Sequence, residues 1–222
     1  MSEDKPILSI ETSGNLCGAC VYFLDEKYFE AKLKLKNSHS EKLFEQIDFV
    51  VKSSGIKITD LKCIAVSAGP GSFTGLRIGM SAAKGLAFGA GLPIVPVPTF
   101  EALALQISNY TNNGSVFSIA NKVNMEELYF AKFKIKGNSY IFVENLQIIN
   151  KKDFELHNQG DVVFGNSLVD SHSNSHYVLS SPNPFYVAKW CKLFGDQLLT
   201  FDYDYLEPNY FKNFIVKGQK NV

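Results

Sequence analysis

Residues Ser67-Ala68-Gly69-Pro70-Gly71-Ser72-Phe73-Thr74-Gly75-Leu76-Arg77-Ile78-Gly79 carry the strongest chemical signal in the chain. They follow an apolar strand pattern, Cys63 to Val66, and lead into a small-residue helix pattern, Met80 to Ala90. A strand, a glycine-rich turn and a helix start together form a place to receive an anion. The first N–H groups of a helix have no intrahelical acceptor, and the macrodipole is positive there. Gly69, Gly71, Ser72, Thr74, Gly75 and Arg77 are therefore a candidate anion or nucleotide loop. The same residues also suit a tight turn that lets a helix pack closely, and the function depends on which use prevails.

Other reactive residues are placed less favourably. The four histidines are His39, His157, His172 and His176. His172 and His176 have a spacing that faces one way on a helix, but Ser173-Asn174-Ser175 between them reads as a solvated loop rather than a metal site. His39 reads as a helix-start residue. Ser72 lacks the G-x-S-x-G context of a nucleophile elbow. Cys17 and Cys20 have CxxC spacing without a second pair, so the four cysteines read as buried, reduced thiols. No metal site and no catalytic residue is assigned.

The elements that must position these residues can be traced along the chain. Strands are expected at Pro6–Thr12, Leu16–Leu24, Tyr28–Leu35, Leu61–Ser67 and Pro93–Val97. Glu41–Ser54 is a helix by its apolar spacing, with Ser38 or Ser40 as its cap and Gly55 as its stop. Thr99 caps a helix over Phe100–Asn109. The order then repeats: strands at Val116–Ala120, Glu127–Lys136 and Ser139–Ile149, a short helix near Lys151, a strand at Asp161–Gly165 and a helix over Pro184–Phe194. Ser171–Ser175 reads as a polar loop and Gly218–Val222 as a frayed tail. Three meandering strands, a helix, a strand and a helix, occurring twice, predict an α/β chain. It has two duplicated ribonuclease-H-like lobes, as in the actin-like and Hsp70-like (ASKHA) superfamily, with mixed sheets flanked by helices. Residues 1–105 form the first lobe and 106–222 a smaller second one.

Enzymes of that architecture need an acid in the first hairpin for the nucleotide's magnesium and glycine loops in both lobes for its phosphates. Glu11-Thr12-Ser13-Gly14 occupies the first position, but the second lobe offers only Val163-Phe164-Gly165-Asn166-Ser167. Half a nucleotide site is a poor one, so no cofactor is expected to bind independently. The helices are more informative. Leu43, Phe44, Ile47, Phe49, Val50 and Val51 cover more than one stripe of the first, and Leu76 to Phe88 is apolar on almost every side. A helix needs only about a 100° stripe for its own core. Either the second helix is deeply buried, or its excess face binds a partner; Leu43, Phe44, Ile47, Val51, Leu76, Met80, Ala83 and Ala87 are the candidate partner-binding residues. Composition sets the outer bounds: 222 residues, 45% apolar, 20% charged and zero net charge. That balance argues against unaided binding to nucleic acid. No apolar run reaches the roughly 18 residues that span a bilayer, and the N-terminus has no signal core, so a cytoplasmic protein without membrane contact is expected.

Ile7 to Ser13, His39-Ser40-Glu41-Lys42-Leu43, Gly69 to Gly79, Ala83-Lys84-Gly85-Leu86-Ala87 and Pro208-Asn209-Tyr210-Phe211-Lys212 together resemble the TsaB (YeaZ) family of bacterial tRNA threonylcarbamoyladenosine biosynthesis. The first lobe carries most of the likeness. Ala120-Asn121-Lys122 stands where the family usually has Asp-Ala-Arg, and Phe211-Lys212 where it has Leu-Arg. The catalytic relative TsaD carries two metal-binding histidines four residues apart on its first helix, whereas here Leu43 follows His39 at that spacing. The resemblance therefore implies a non-catalytic scaffold that pairs with TsaD through its first two helices, supports recruitment of the ATPase TsaE and contacts tRNA indirectly. It implies a homodimer when the protein is alone and ATP or ADP, if any, at an interface shared in the complex. The alternative is a stand-alone ATP-dependent or peptidase-like enzyme. On this reading Gly69 to Gly79 is mainly the turn that launches a partner-binding helix.

Overall fold

The computed structural model describes residues 5–34, 39–167 and 176–210, the first three residues of the middle stretch by their backbone alone. The first sheet contains β1 (Ile7–Glu11), β2 (Leu16–Leu24), β3 (Lys27–Lys34), β4 (Cys63–Gly69) and β5 (Ile94–Pro98). Its order is β3-β2-β1-β4-β5. Helices α1 (His39–Ser54), α2 (Phe73–Ala90) and α3 (Thr99–Ser108) connect and cover these strands. The second sheet contains β6 (Val116–Lys122), β7 (Glu127–Lys136), β8 (Ser139–Asn150), β9 (Val162–Gly165) and β10 (His176–Tyr177), in the order β10-β9-β6-β7-β8. A short helix, α4 (Phe154–Asn158), precedes β9, and α5 (Pro184–Phe194) follows β10.

Read from β8, the second order matches the first strand for strand. In both sheets the first two pairings of the meander are antiparallel and the later strands run parallel. The duplication inferred from element order is thus present in the hydrogen-bond register. The eighteen-residue α2 joins β4 to β5; ten residues, 166–175, separate β9 from β10.

Period-two alternation explains why β1 is buried along its whole length. Leu8 and Ile10 enter the layer under α1 and α2, with Leu43, Ile47, Val66, Met80 and Ala83. Ile7 enters the opposite layer, with Val95, Val97, Ala102, Val187 and Trp190. Helix α5 belongs by sequence to the second half, yet it packs against β1 and β2 of the first sheet. Helix α3 lies between the two sheets: Ala102 and Leu105 face the first, while Phe100, Leu103 and Ile107 pack with Phe117, Ile119 and Phe133 of the second. After α5 the chain returns to the first lobe, where Thr200 pairs with Ile94 and Asn209 donates its N–H to the Ala68 carbonyl.

Several sequence expectations change. Helix α2 begins at Phe73, not Met80, so most of the glycine block is helical. Ser72 is the reason: its hydroxyl accepts from the Gly75 N–H and caps the helix there. Thr99 is the first residue of α3 rather than its cap; Pro98 takes the cap position and the Thr99 hydroxyl accepts from the Gly69 N–H. Strand β10 carries no sequence signal beyond two residues. Gly55 does stop α1, in the left-handed region at φ 71°. The polar loop at Ser171–Ser175, His172 and the tail at Gly218–Val222 lie outside the described residues, as do Phe211 and Lys212.

Candidate functional site

The glycine block meets the end of β1. A side-chain carbon on Gly75 would stand 2.0 Å from the Thr12 carbonyl oxygen, one on Gly71 2.4 Å from the Ser13 carbonyl oxygen, and one on Gly79 2.3 Å from the Thr12 hydroxyl. Glycine is required at these positions because the turn and the first turns of α2 lie directly on Thr12 and Ser13, just past β1. Two hydrogen bonds fasten the contact: Thr12 Oγ1 donates to the Gly75 carbonyl at 2.7 Å, and the Ser72 N–H donates to the Ser13 carbonyl at 2.7 Å. The inner side of the turn is thereby filled with protein, while Ser72, Thr74 and Arg77 remain on its exposed side.

Glu11, the acid at the magnesium position, is fully buried. One carboxylate oxygen accepts from the Ser13 N–H at 2.6 Å and from the Ser13 hydroxyl at 2.5 Å; the other accepts from Ser67. Burial pushes this carboxyl up to about 7, against the three hydrogen bonds, which hold it down. The corresponding strand end in the second lobe carries the neutral Asn121. Its Nδ2 donates to the Ser180 carbonyl at 2.7 Å and its Oδ1 accepts from the Asn166 N–H. In this arrangement Glu11 presents no oxygen to solvent, and the matching position of the second lobe carries an amide in place of an acid. These residues do not fit a nucleotide and its metal held by this chain alone.

The return of the C-terminal segment closes the outer edge. The Asn209 carbonyl lies 2.9 Å from where a Gly69 side-chain carbon would stand, and Gly69 has φ 111°, a conformation that favours glycine. Arg77 Nε donates to the Tyr210 hydroxyl at 3.1 Å, and its guanidinium lies 4.1 Å from the centre of the Phe73 ring. Phe73 and Tyr210 are themselves 5.0 Å apart. Arg77, named as an anion ligand, is thus held by aromatic rings and a phenol.

The second candidate surface is α1 with α2. Leu43, Ile47, Leu76, Met80, Ala83 and Ala87 are all under 4% exposed, packed beneath the helices or against the turn. They are core residues of this chain, and this part of the apolar surface of α2 is buried against β1 and β4 and beside α1. Val51 is half-buried at the edge of that layer. Phe44 remains, at 54% exposed, joined by Phe49 on α1 and Phe88 on α2, which the partner-binding set omitted. The signal that distinguishes them is angular: Leu43 and Ile47 are four residues apart and face the sheet, whereas Phe44 is turned from them by one residue step.

The remaining reactive residues fall elsewhere. Cys17 and Cys20, three residues apart on β2, enter opposite layers of the sheet and do not converge. Burial, and then the Glu11 charge, pushes the Cys17 thiol up to about 11. His157 lies 2.5 Å from Glu144 in the second lobe, far along the chain from the glycine block. Among the described residues no three His, Cys, Asp or Glu side chains converge as metal ligands, and no helix is long and apolar enough to cross a membrane. His39 starts α1, as its sequence position suggested.

Comparison with known proteins adds to this geometry. Residues 34–152 match the family model described as TsaD, tRNA N6-adenosine threonylcarbamoyltransferase. The tRNA threonylcarbamoyladenosine biosynthesis protein TsaB of Haemophilus influenzae is 30% identical over 153 residues, covering 68% of this chain and 64% of that one. TsaB of Escherichia coli is 30% identical over 149 residues, covering 66% and 63%. The chain thus matches somewhat less than two thirds of the length of these curated relatives. Among solved structures, YeaZ from Pseudomonas aeruginosa superimposes with a TM-score of 0.76 at 17% identity, over 92% of this chain and 99% of that one. A second Pseudomonas aeruginosa structure, described as an uncharacterized protein with similarity to peptidase YEAZ, gives 0.77 at 17% identity. At that identity these structures establish the two-lobed fold.

Proposed function

Because the chain belongs to the TsaB (YeaZ) family, we propose that it is a non-catalytic scaffold subunit of the assembly that installs N6-threonylcarbamoyl on tRNA adenosine. In this reading it works in the cytoplasm, binds TsaD through the outer surface of α1 and α2, supports TsaE recruitment and touches tRNA only through the complex. Alone it forms a homodimer through the same helices. ATP or ADP, where present, sits at an interface with a partner and not on this chain by itself.

One observation carries the reading: Phe44 and Phe88 are 54% and 77% exposed on helices whose other faces are already buried in the core. Aromatic side chains left in water on two adjacent helices are the usual anchors of a protein contact. The buried and fully bonded Glu11 argues in the same direction, since it leaves the chain without a free acid at its glycine turn. Phe44→Asp with Phe88→Asp tests the surface without touching the core. The double variant is expected to keep its fold and to lose capture of TsaD. Addition of the unaltered protein to TsaD, TsaE, TsaC, ATP and tRNA is expected to raise modified tRNA; equal product with and without it would refute the proposal. Micromolar binding of Mg-ATP to the isolated chain by calorimetry would instead favour an ATP-dependent enzyme.

A further inference from the structure

Cys63, the first residue of β4, and Cys191, on α5, stand with their sulfurs 3.7 Å apart. They are separated by most of the chain, and both are buried, at 0% and 3% exposed. The layer around them is apolar, with Ile7, Ala65, Val95, Val187 and Ala188. At its rim Lys62 Nζ pairs with Asp196 at 2.6 Å, and Asp196 is largely exposed. The pair therefore lies one residue inside the surface, at the seam where α5 rests on the first sheet. Neither cysteine takes part in the glycine turn or the α1–α2 surface.

We propose that Cys63 and Cys191 are a reversible oxidation site, which hydrogen peroxide converts to a disulfide that ties α5 to β4. A disulfide needs the sulfurs at about 2.0 Å, so they must close by roughly 1.7 Å. The two side chains already touch, so the closure requires no new pairing of elements. Two features suit the pair to the chemistry. The thiol–thiol hydrogen bond between Cys63 and Cys191 holds the Cys63 thiol below the usual range against its burial, with help from the Lys62 ammonium. The resolving thiol is already in place, so an oxidised Cys63 has a nearer reactant than water.

The Cys63 thiolate attacks one peroxide oxygen; the O–O bond breaks and hydroxide leaves, taking up the proton that Cys63 released to become water. Cys63 is then a sulfenic acid. The Cys191 sulfur attacks the Cys63 sulfur, the S–O bond breaks, and the departing hydroxide leaves with the Cys191 proton as a second water. Two thiols have lost two hydrogens, and one peroxide has become two waters. The small size of peroxide matters, because neither sulfur is open to a bulky disulfide reagent.

The test is peroxide treatment of the folded full chain, followed by thiol counting and non-reducing peptide mass mapping. Free thiols are expected to fall from four to two, with one cross-linked peptide pair joining Cys63 to Cys191 and a mass loss of two hydrogens, all restored by dithiothreitol. Cys63→Ser and Cys191→Ser are each expected to keep their remaining three thiols free of any intramolecular link, with circular dichroism checking their fold. A link through Cys17 or Cys20, or four thiols surviving under conditions that oxidise an accessible thiol in a control protein, would overturn the proposal.

Discussion

Replacement of Glu11 by Gln gives the sharpest physical test of the strand end beneath α2. The neutral amide matches the protonated carboxyl in shape, so it removes charge and little else. In the folded chain the carboxyl is pushed from 4.5 up to about 7; unfolded, it returns to the ordinary value. A carboxyl raised on folding binds its proton more tightly in the native state. Its contribution is therefore fully present below pH 4.5 and is lost as the pH rises towards 7. At about 1.4 kcal/mol for each pH unit between those values, the loss amounts to about 3 kcal/mol. The unaltered protein should lose that stability across the window, whereas Glu11→Gln should not. Urea unfolding of both proteins at intervals from pH 4 to pH 8 reads the difference directly. The gap should be small at pH 4, widen in favour of Gln up to pH 7 and stay level above it. A gap that is constant with pH, or that widens in favour of Glu as the pH rises, would refute the argument. The latter would mean that the bonds from Ser13 and Ser67 outweigh burial and hold the carboxyl below its ordinary range.

Three further substitutions probe α2 and the segment packed on its start. Gly75→Ala places a carbon 2.0 Å from the Thr12 carbonyl oxygen and should cost about 3 kcal/mol or more, as in an overpacked core. Gly85→Ala in the same helix meets nothing within 4 Å and should stabilise by about 0.5–1 kcal/mol; thermal melts of the pair separate packing from helix propensity. Tyr210→Ala removes the ring and hydroxyl that hold Arg77 and Phe73, and should cost about 1 kcal/mol while exposing the C-terminal segment to proteolysis sooner.

The legibility of this fold depended on how local its causes are. The meander, the helix periods, the Gly55 stop and the doubling of the element order are carried by neighbours in sequence, and the two sheets repeat each other's strand order as that pattern implied. The sheet faces of Leu43 and Ile47 are likewise set by helical spacing. What the exposed face of α1 and α2 contains was not legible in the same way. Hydrophobicity alone cannot separate Met80, buried against the sheet, from Phe88, left in water, because both lie in one apolar helix.

The amino-acid sequence by itself determined a duplicated α/β chain, a glycine block at a strand-to-helix junction and the family to which both belong. Only the tertiary structure decided what the glycines do. A bare backbone suits an anion or another backbone equally well, and the difference lies in what stands 2–3 Å away. Here it is Thr12 and Ser13, just past the end of β1 and about sixty residues upstream. The same holds for Glu11, whose carboxylate accepts a hydrogen bond from the distant Ser67, and for Cys63 and Cys191, which meet because α5 folds back across the first sheet. Contacts between distant segments have no signature in spacing or composition, since each partner is an ordinary residue until the chain brings it to the other.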